Sequence, residues 1–137
     1  MGCFYCEKNQ QLHDLMIEIC ELSVSTVYLF KEQSYRGRCN VALKKHVNNL
    51  FELSNAELSD FMLDVSKVAK AMNKVFSPGK INYGCYGDKV SHIHMHIVPK
   101  YEDGASWGGT FEMNPQKVYL SDDEYNQMIK DIKNNLG

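Results

Sequence analysis

Three of the five histidines stand at alternate positions, in the run Ser91-His92-Ile93-His94-Met95-His96. Residues two apart on a strand face the same way at a spacing of about 6–7 Å. That arrangement puts the three imidazoles on one face and leaves Ile93, Met95 and Ile97 on the other, free to pack on a helix. A neutral imidazole is a good nucleophile near pH 7 and departs readily from phosphorus. Its other ring nitrogen must be tied down to fix the tautomer. A neighbouring imidazole can bind a phosphate oxygen or serve the leaving group. The pattern therefore points to covalent catalysis on a phosphate by one of the three imidazoles. Two readings compete with it: a solvated row of histidines, and a three-histidine metal site of the catalytic-zinc type. The aliphatic residues between the histidines mark a core strand and weigh against the first. The presence of other ligands for a separate metal weighs against the second.

The reactive strand needs elements around it. The spacing predicts a strand over Val90 to Val98, closed by Pro99, preceded by a strand over Lys80 to Tyr83 and a Gly-bearing loop over Gly84 to Asp88. Ser54-Asn55-Ala56-Glu57 is a capping box, Glu following Ser by three. Leu58, Phe61, Met62, Val65, Val68, Ala69, Met72 and Val75 continue it at helical spacing to a stop at Ser77-Pro78-Gly79. A second box, Ser121 to Glu124, opens a C-terminal helix with Tyr125, Met128, Ile129 and Ile132 on its apolar face. Met16 to Cys20 and Val24 to Phe30 read as two strands, although Leu12, Leu15, Met16, Ile19 and Cys20 also fit a helical stripe. Tyr35-Arg36-Gly37 reads as a turn, Cys39 to Lys44 as a strand, and Tyr101 to Pro115 as irregular chain. Strands, a helix, two strands and a helix make an α+β domain: one antiparallel sheet with a long helix packed on it and a C-terminal helix.

The chain has 137 residues, which suits one domain over 1–137. Its net charge of −2 comes with no Lys or Arg run, which argues against binding nucleic acid or an anionic membrane through a broad basic face. A basic pocket for one small phosphate ligand stays open. No apolar stretch has the length of a membrane span. The start, Met1-Gly2-Cys3, has neither signal-peptide shape nor the Ser or Thr expected for myristoylation. A cytosolic protein is expected, in which five cysteines are thiols or metal ligands and not a disulfide framework.

His92-Ile93-His94-Met95-His96-Ile97-Val98, together with Lys44-Lys45-His46-Val47 upstream and the strand Asn82-Tyr83-Gly84, resembles the signature of the histidine-triad (HIT) nucleotide hydrolases and transferases. The resemblance covers most of the chain. It implies that His94 forms a nucleotidyl-phosphate intermediate resolved by water, with His96 at the phosphate and leaving-group oxygens. A third histidine at His96, where the related uridylyltransferases carry Gln, favours hydrolysis over transfer. Diadenosine polyphosphates and adenosine phosphoramidates are the substrates this implies, and a homodimer is the expected assembly. Asn82 falls where a side chain points at the phosphates, and Glu32 where an acidic or amide residue binds ribose hydroxyls. Lys89 could hold a non-bridging oxygen. Trp107 could close over a leaving group or base, or pack in its loop. Cys3-x-x-Cys6 alone is a weak signal, and its place outside a βαβ pattern argues against redox work. With His46 and His92 it supplies a Cys2His2 set suited to structural zinc, as in some relatives. Two free thiols and a packed His46 are the alternative. The chain departs from the family at Arg38, where a histidine is usual, at Leu43, where proline is common, and in a loop before His92 that is one residue shorter. A non-catalytic, zinc-stiffened module that binds purine nucleotides is the rival to a hydrolase.

Overall fold

The computed structural model describes residues 2–137; Met1, and with it the reading of the Met-Gly start, lies outside the described residues. Two short helices, α1 (Phe4–Glu7) and α2 (Gln10–Leu15), lead into β1 (Met16–Glu21), β2 (Ser25–Phe30) and β3 (Cys39–Leu43). A single 3-10 turn at Leu50–Glu52 precedes α3 (Asn55–Phe76), β4 (Lys80–Gly84), β5 (His94–Lys100) and α4 (Asp122–Asn135). The five strands form one sheet in the order β1-β2-β3-β5-β4, antiparallel throughout. The first thirty residues resolve the ambiguity between stripe and strand by using both: Leu12 is buried on α2, and the chain turns extended at Met16.

Each face of the sheet has its own apolar cluster. On one, Phe61, Val65, Val68 and Met72 of α3 and Met128 and Ile132 of α4 pack with Val27, Leu29, Val41, Met95 and Ile97. The spacing of those α3 residues by three and four is the stripe the helix needs for a single buried face. Met62, expected in that stripe, is 44% exposed, at the border of the buried face. Both predicted capping boxes are formed: Ser54 Oγ accepts from the Glu57 amide while Glu57 Oε1 accepts from the Ser54 amide, and Ser121 and Glu124 repeat the exchange. On the other face a smaller cluster of Phe4, Tyr5, Leu12, Met16, Tyr28, Phe30 and Ala42 lies under α1 and α2. His94 pairs with Ala42 and His96 with Asn40, so both histidines belong to this second face, away from the long helix.

Asp64 of α3 is buried, and sequence periodicity gives no sign of it. Its carboxylate accepts from Ser23 Oγ at 2.8 Å, the Val24 amide at 3.0 Å and Ser25 Oγ at 2.7 Å, clamping the β1–β2 turn to the helix. Asp64→Ala leaves two hydroxyls and an amide without their acceptor and is expected to cost about 3 kcal/mol. Urea unfolding checks this, with Asp64→Asn expected to retain part of the loss.

Two expectations for the reactive strand are corrected. The strand begins at His94, not Val90, and runs through Pro99 to Lys100. His92 lies in a bend just before it, so the three histidines are not one row on one strand. Pro99 is tolerated because β3 ends its pairing at Cys39 opposite Ile97, leaving β5 beyond that point with a neighbour on one side only.

Candidate active site and metal cluster

The bend at His92 separates two kinds of histidine. His92 Nε2 lies 2.6 Å from the Leu43 carbonyl oxygen, which can only accept, so the proton is on Nε2 and the lone pair on Nδ1. That Nδ1 faces His46 Nδ1 at 3.1 Å, Cys3 Sγ at 3.4 Å and Cys6 Sγ at 3.5 Å, and Cys6 Sγ lies 3.2 Å from His46 Nδ1. All four donor atoms fall within 4.8 Å of one another. A tetrahedron with bonds of about 2.0–2.3 Å has edges of roughly 3.3–3.8 Å, so the cluster is closely matched to a four-coordinate metal. The Leu43 carbonyl supplies the partner that orients a ligating imidazole. One turn of α1 makes the CxxC useful: the Cys6 and Glu7 amides bond back to the Cys3 carbonyl, which brings the two thiols to one side.

His94 has the opposite tautomer. Its Nδ1 lies 2.8 Å from the His92 carbonyl oxygen, so Nδ1 carries the proton and Nε2 the lone pair. Burial pushes the His94 pKa down, partly offset by that bond, so the ring is neutral near pH 7. His96 again differs. Its Nδ1 lies 3.1 Å from Nη2 of Arg38, a group that only donates, so Nδ1 holds the lone pair and Nε2 the proton. Burial, then the Arg38 cation and His94, hold its pKa down to about 3. Neither His94 Nε2 nor His96 Nε2 has a partner among the described residues, and neither is sealed from solvent. The two buried polar side-chain atoms without a partner among the described residues, Arg38 Nε and Asn40 Oδ1, both flank His96. Unpaired polar atoms are costly, and they concentrate where function overrides stability.

A cleft of about 600 Å³ opens over His94 and His96, walled by Tyr5, Phe30, Asn40, Tyr86 and Met113, with Lys89 at its margin. Tyr5, sitting between the two cysteines in sequence, packs on His92 and His94 at centroid distances of 5.4 and 5.2 Å, and its hydroxyl accepts from Asn40 Nδ2. The Cys-His cluster and the cleft thus share a wall. Gly84 lies opposite His96, and a Cβ there would come within 2.7 Å of both the Phe111 and Tyr86 rings, which close around that histidine.

The structure places two expected substrate residues elsewhere. Glu32 is buried, and its carboxylate accepts from the Ser34 amide, Ser34 Oγ and the Val118 amide, so it ties the 116–118 segment to the β2–β3 turn and does not line the cleft. Asn82 pairs with Val98, two residues beyond His96, and lines a separate hollow with Lys80, Lys100 and Trp107. Gly84, not Asn82, stands opposite His96. Trp107 packs against Gly79, where a Cβ would approach its ring to 2.9 Å, and does not reach the cleft. Of the cleft-lining residues the sequence passed over, Asn40 carried a signal: it is polar in the middle of the otherwise apolar strand Cys39–Leu43.

The pKa of His96 predicts acid sensitivity. Below about 6.5 the unfolded chain takes up a proton that folded His96 refuses until about pH 3. Stability contributed by its burial in the neutral form is therefore full above 6.5 and lost as pH falls towards 3, at about 1.4 kcal/mol per pH unit. Urea midpoints at pH 7 and pH 5 should differ by about 2 kcal/mol from this group, and His96→Gln should narrow the difference.

The profile described as HIT domain matches residues 19–103, and the chain belongs to the HIT, or histidine-triad, family. It is 27% identical over 95% of its length to an adenosine 5'-monophosphoramidase of Schizosaccharomyces pombe, all of which is covered. A bis(5'-nucleosyl)-tetraphosphatase of the same yeast is 35% identical over 47% of this chain and 38% of its own. A histidine triad protein from Bradyrhizobium japonicum superposes with a TM-score of 0.86 at 19% identity, covering 94% of this chain and 96% of the other. A zinc-bound histidine triad family protein from Mycobacterium smegmatis does so at 0.69 and 18% identity, covering 99% and 94%. The family thus includes nucleotide hydrolases, and the fold of this chain is theirs. No helix among the described residues is long and apolar enough to cross a membrane.

Proposed function

We propose that this protein hydrolyses a nucleoside phosphate anhydride or phosphoramidate at the α-phosphate, through a nucleotidyl intermediate on His94. The observation that carries this reading is the fixed tautomer of His94: Nδ1–H is held by the His92 carbonyl, and the Nε2 lone pair opens into the cleft. Attack by Nε2 forms the bond to phosphorus while the bond to the leaving group breaks. The ring then carries positive charge, which the His92 carbonyl stabilises through Nδ1–H. His96 Nε2–H donates a hydrogen bond to a phosphate or leaving-group oxygen. Water then displaces His94 from phosphorus, the electron pair returning to Nε2 and the water proton passing to solvent. Lys89, at the margin of the cleft, is placed to attract the phosphates as a point charge.

The Cys3, Cys6, His46 and His92 cluster is assigned to zinc. Two thiolates and two imidazoles suit that ion, and four filled positions make the site structural, with no step of the reaction passing through it. A homodimer in a cytosolic setting completes the proposal; the open outer edge of β4, with Tyr83 exposed, is available for it.

Intact mass spectrometry after brief exposure to a diadenosine polyphosphate or adenosine phosphoramidate tests the intermediate. Wild type should gain the mass of a nucleotidyl group. An adduct that persists in His94→Ala would overturn the assignment. Tight binding of AMP by calorimetry with no turnover of either substrate would favour a binding module instead.

A further inference from the structure

Arg38 is the cation set against His96, and its surroundings give that placement a consequence. The side chain is fully buried. Nη1 donates to the Met113 carbonyl at 2.8 Å and the Glu112 carbonyl at 3.4 Å, while Nη2 reaches His96 Nδ1 at 3.1 Å and Met113 Sδ at 3.3 Å. The guanidinium lies over Phe30 at 4.2 Å from its centroid, with Phe111 at 5.4 Å and Tyr35 at 5.9 Å. Among the described residues no carboxylate pairs with it or with His96; the nearby Glu32 is engaged by Ser34 and Val118. His96 is faced otherwise by the rings of His94, Tyr86, Phe30 and Phe111, and the charged groups that line the same cleft, Asp88 and Lys89, make no hydrogen bond or ion pair with it.

Resting on the hydrolase reading above, we propose that Arg38 is a positioning residue that confines His96 to its neutral Nε2–H form and thereby fits this site to leaving groups that depart as anions, the phosphates of a nucleoside anhydride, in preference to amines. A guanidinium cannot accept a proton back, so His96 has one proton to offer and no means of taking a second beside a buried cation. When the P–O bond of an anhydride breaks, its electron pair stays on the leaving oxygen. A phosphate, whose second pKa is about 6, leaves as its own anion, and a hydrogen bond from Nε2–H suffices with no proton transferred. When a P–N bond breaks, the pair stays on nitrogen, which needs a proton. A neutral imidazole can give that proton only by becoming an anion. The preference is therefore the reverse of what the name of the yeast phosphoramidase would suggest for this chain.

Two measurements on the intact protein test the proposal. In long-range ¹H–¹⁵N spectra of histidine-labelled wild type, His96 should stay the neutral Nε2–H tautomer from pH 8 to pH 5. An imidazolium or an Nδ1–H tautomer at pH 7 would overturn the hold assigned to Arg38. In kinetics, kcat/KM for a diadenosine polyphosphate should exceed that for adenosine phosphoramidate by tenfold or more, and Arg38→Met should shrink that ratio at least tenfold while the His96 titration moves to higher pH than in wild type. Arg38→His should move both readouts in the same direction. Equal or better use of the phosphoramidate by wild type would sink the leaving-group preference, whatever the variants do. If wild type turns over neither substrate, the hydrolase reading fails and the preference with it, whereas the tautomer spectrum still decides the role of Arg38.

Discussion

His94→Gly is expected to lower kcat on any substrate the protein hydrolyses by about 10⁴-fold or more, with free imidazole restoring a measurable part of the loss. The size of the effect follows from what the residue supplies. His94 is the one imidazole in the cleft whose Nε2 carries a lone pair: His96 holds a proton on its Nε2, and His92 points its lone pair at Cys3, Cys6 and His46. A neighbouring ring cannot substitute without reversing a tautomer fixed by a carbonyl or a guanidinium. The rescue follows from the same geometry. Removing the ring leaves the His92 carbonyl free to accept from an added imidazole and orient it as the native ring is oriented. The rescued rate stays far below wild type because the added ring must be bound from solution, and well-oriented intramolecular groups act at effective concentrations of roughly 10⁵ M and above. Single-turnover kinetics with and without imidazole measures both parts. Equal kcat in His94→Gly and wild type would eliminate this residue as the nucleophile.

Removing the proposed zinc, by chelation or by Cys3→Ser with Cys6→Ser, is expected to lower the unfolding free energy by about 3–5 kcal/mol and the melting temperature by on the order of 10–15 °C. Metal analysis should fall from one zinc per chain to none. The loss is smaller than the whole binding energy of a zinc-finger peptide, about 10–16 kcal/mol, because the main core of α3, α4 and the sheet lies on the opposite face from the cluster and does not depend on it. What does depend on it is the N-terminal turn. Helix α1 has four residues, fewer than an isolated helix needs to persist, and it is held at the sheet by Phe4, Tyr5 and the two thiols. Releasing the thiols releases Tyr5 from His92 and His94 and opens one wall of the cleft. KM should therefore rise along with the loss of stability, and the intrinsic order of the 2–15 segment in hydrogen exchange should fall first. Unchanged metal content in the double variant would reject the four-residue site.

The division between what the sequence determined and what only tertiary structure decided follows the range of the interactions. Local patterns were legible. The capping boxes at Ser54 and Ser121 are exchanges between residues three apart, and helix periodicity in α3 and α4 reflects one buried face per element. The alternation of His94, Met95, His96 and Ile97 is likewise the period of a strand with two differently occupied faces. These depend on a few covalently adjacent residues, so the order of letters carries them. The division of labour among the histidines did not lie in their spacing. His92 looks equivalent to His94 and His96 in the sequence, and it is the bend before β5, with the Leu43 carbonyl and two thiols some ninety residues earlier, that turns it to the Cys-His cluster. Likewise, Glu32 is a plausible ribose ligand by type, and only the return of the 116–118 segment shows its carboxylate already engaged. Asn82 is excluded from the cleft by register, because β4 pairs with β5 so that Gly84 stands opposite His96. The lone pairs that decide the chemistry are set by the Leu43 carbonyl, the His92 carbonyl at the bend and the Arg38 cation, and a proton's place on an imidazole is a property of those partners, not of the residue.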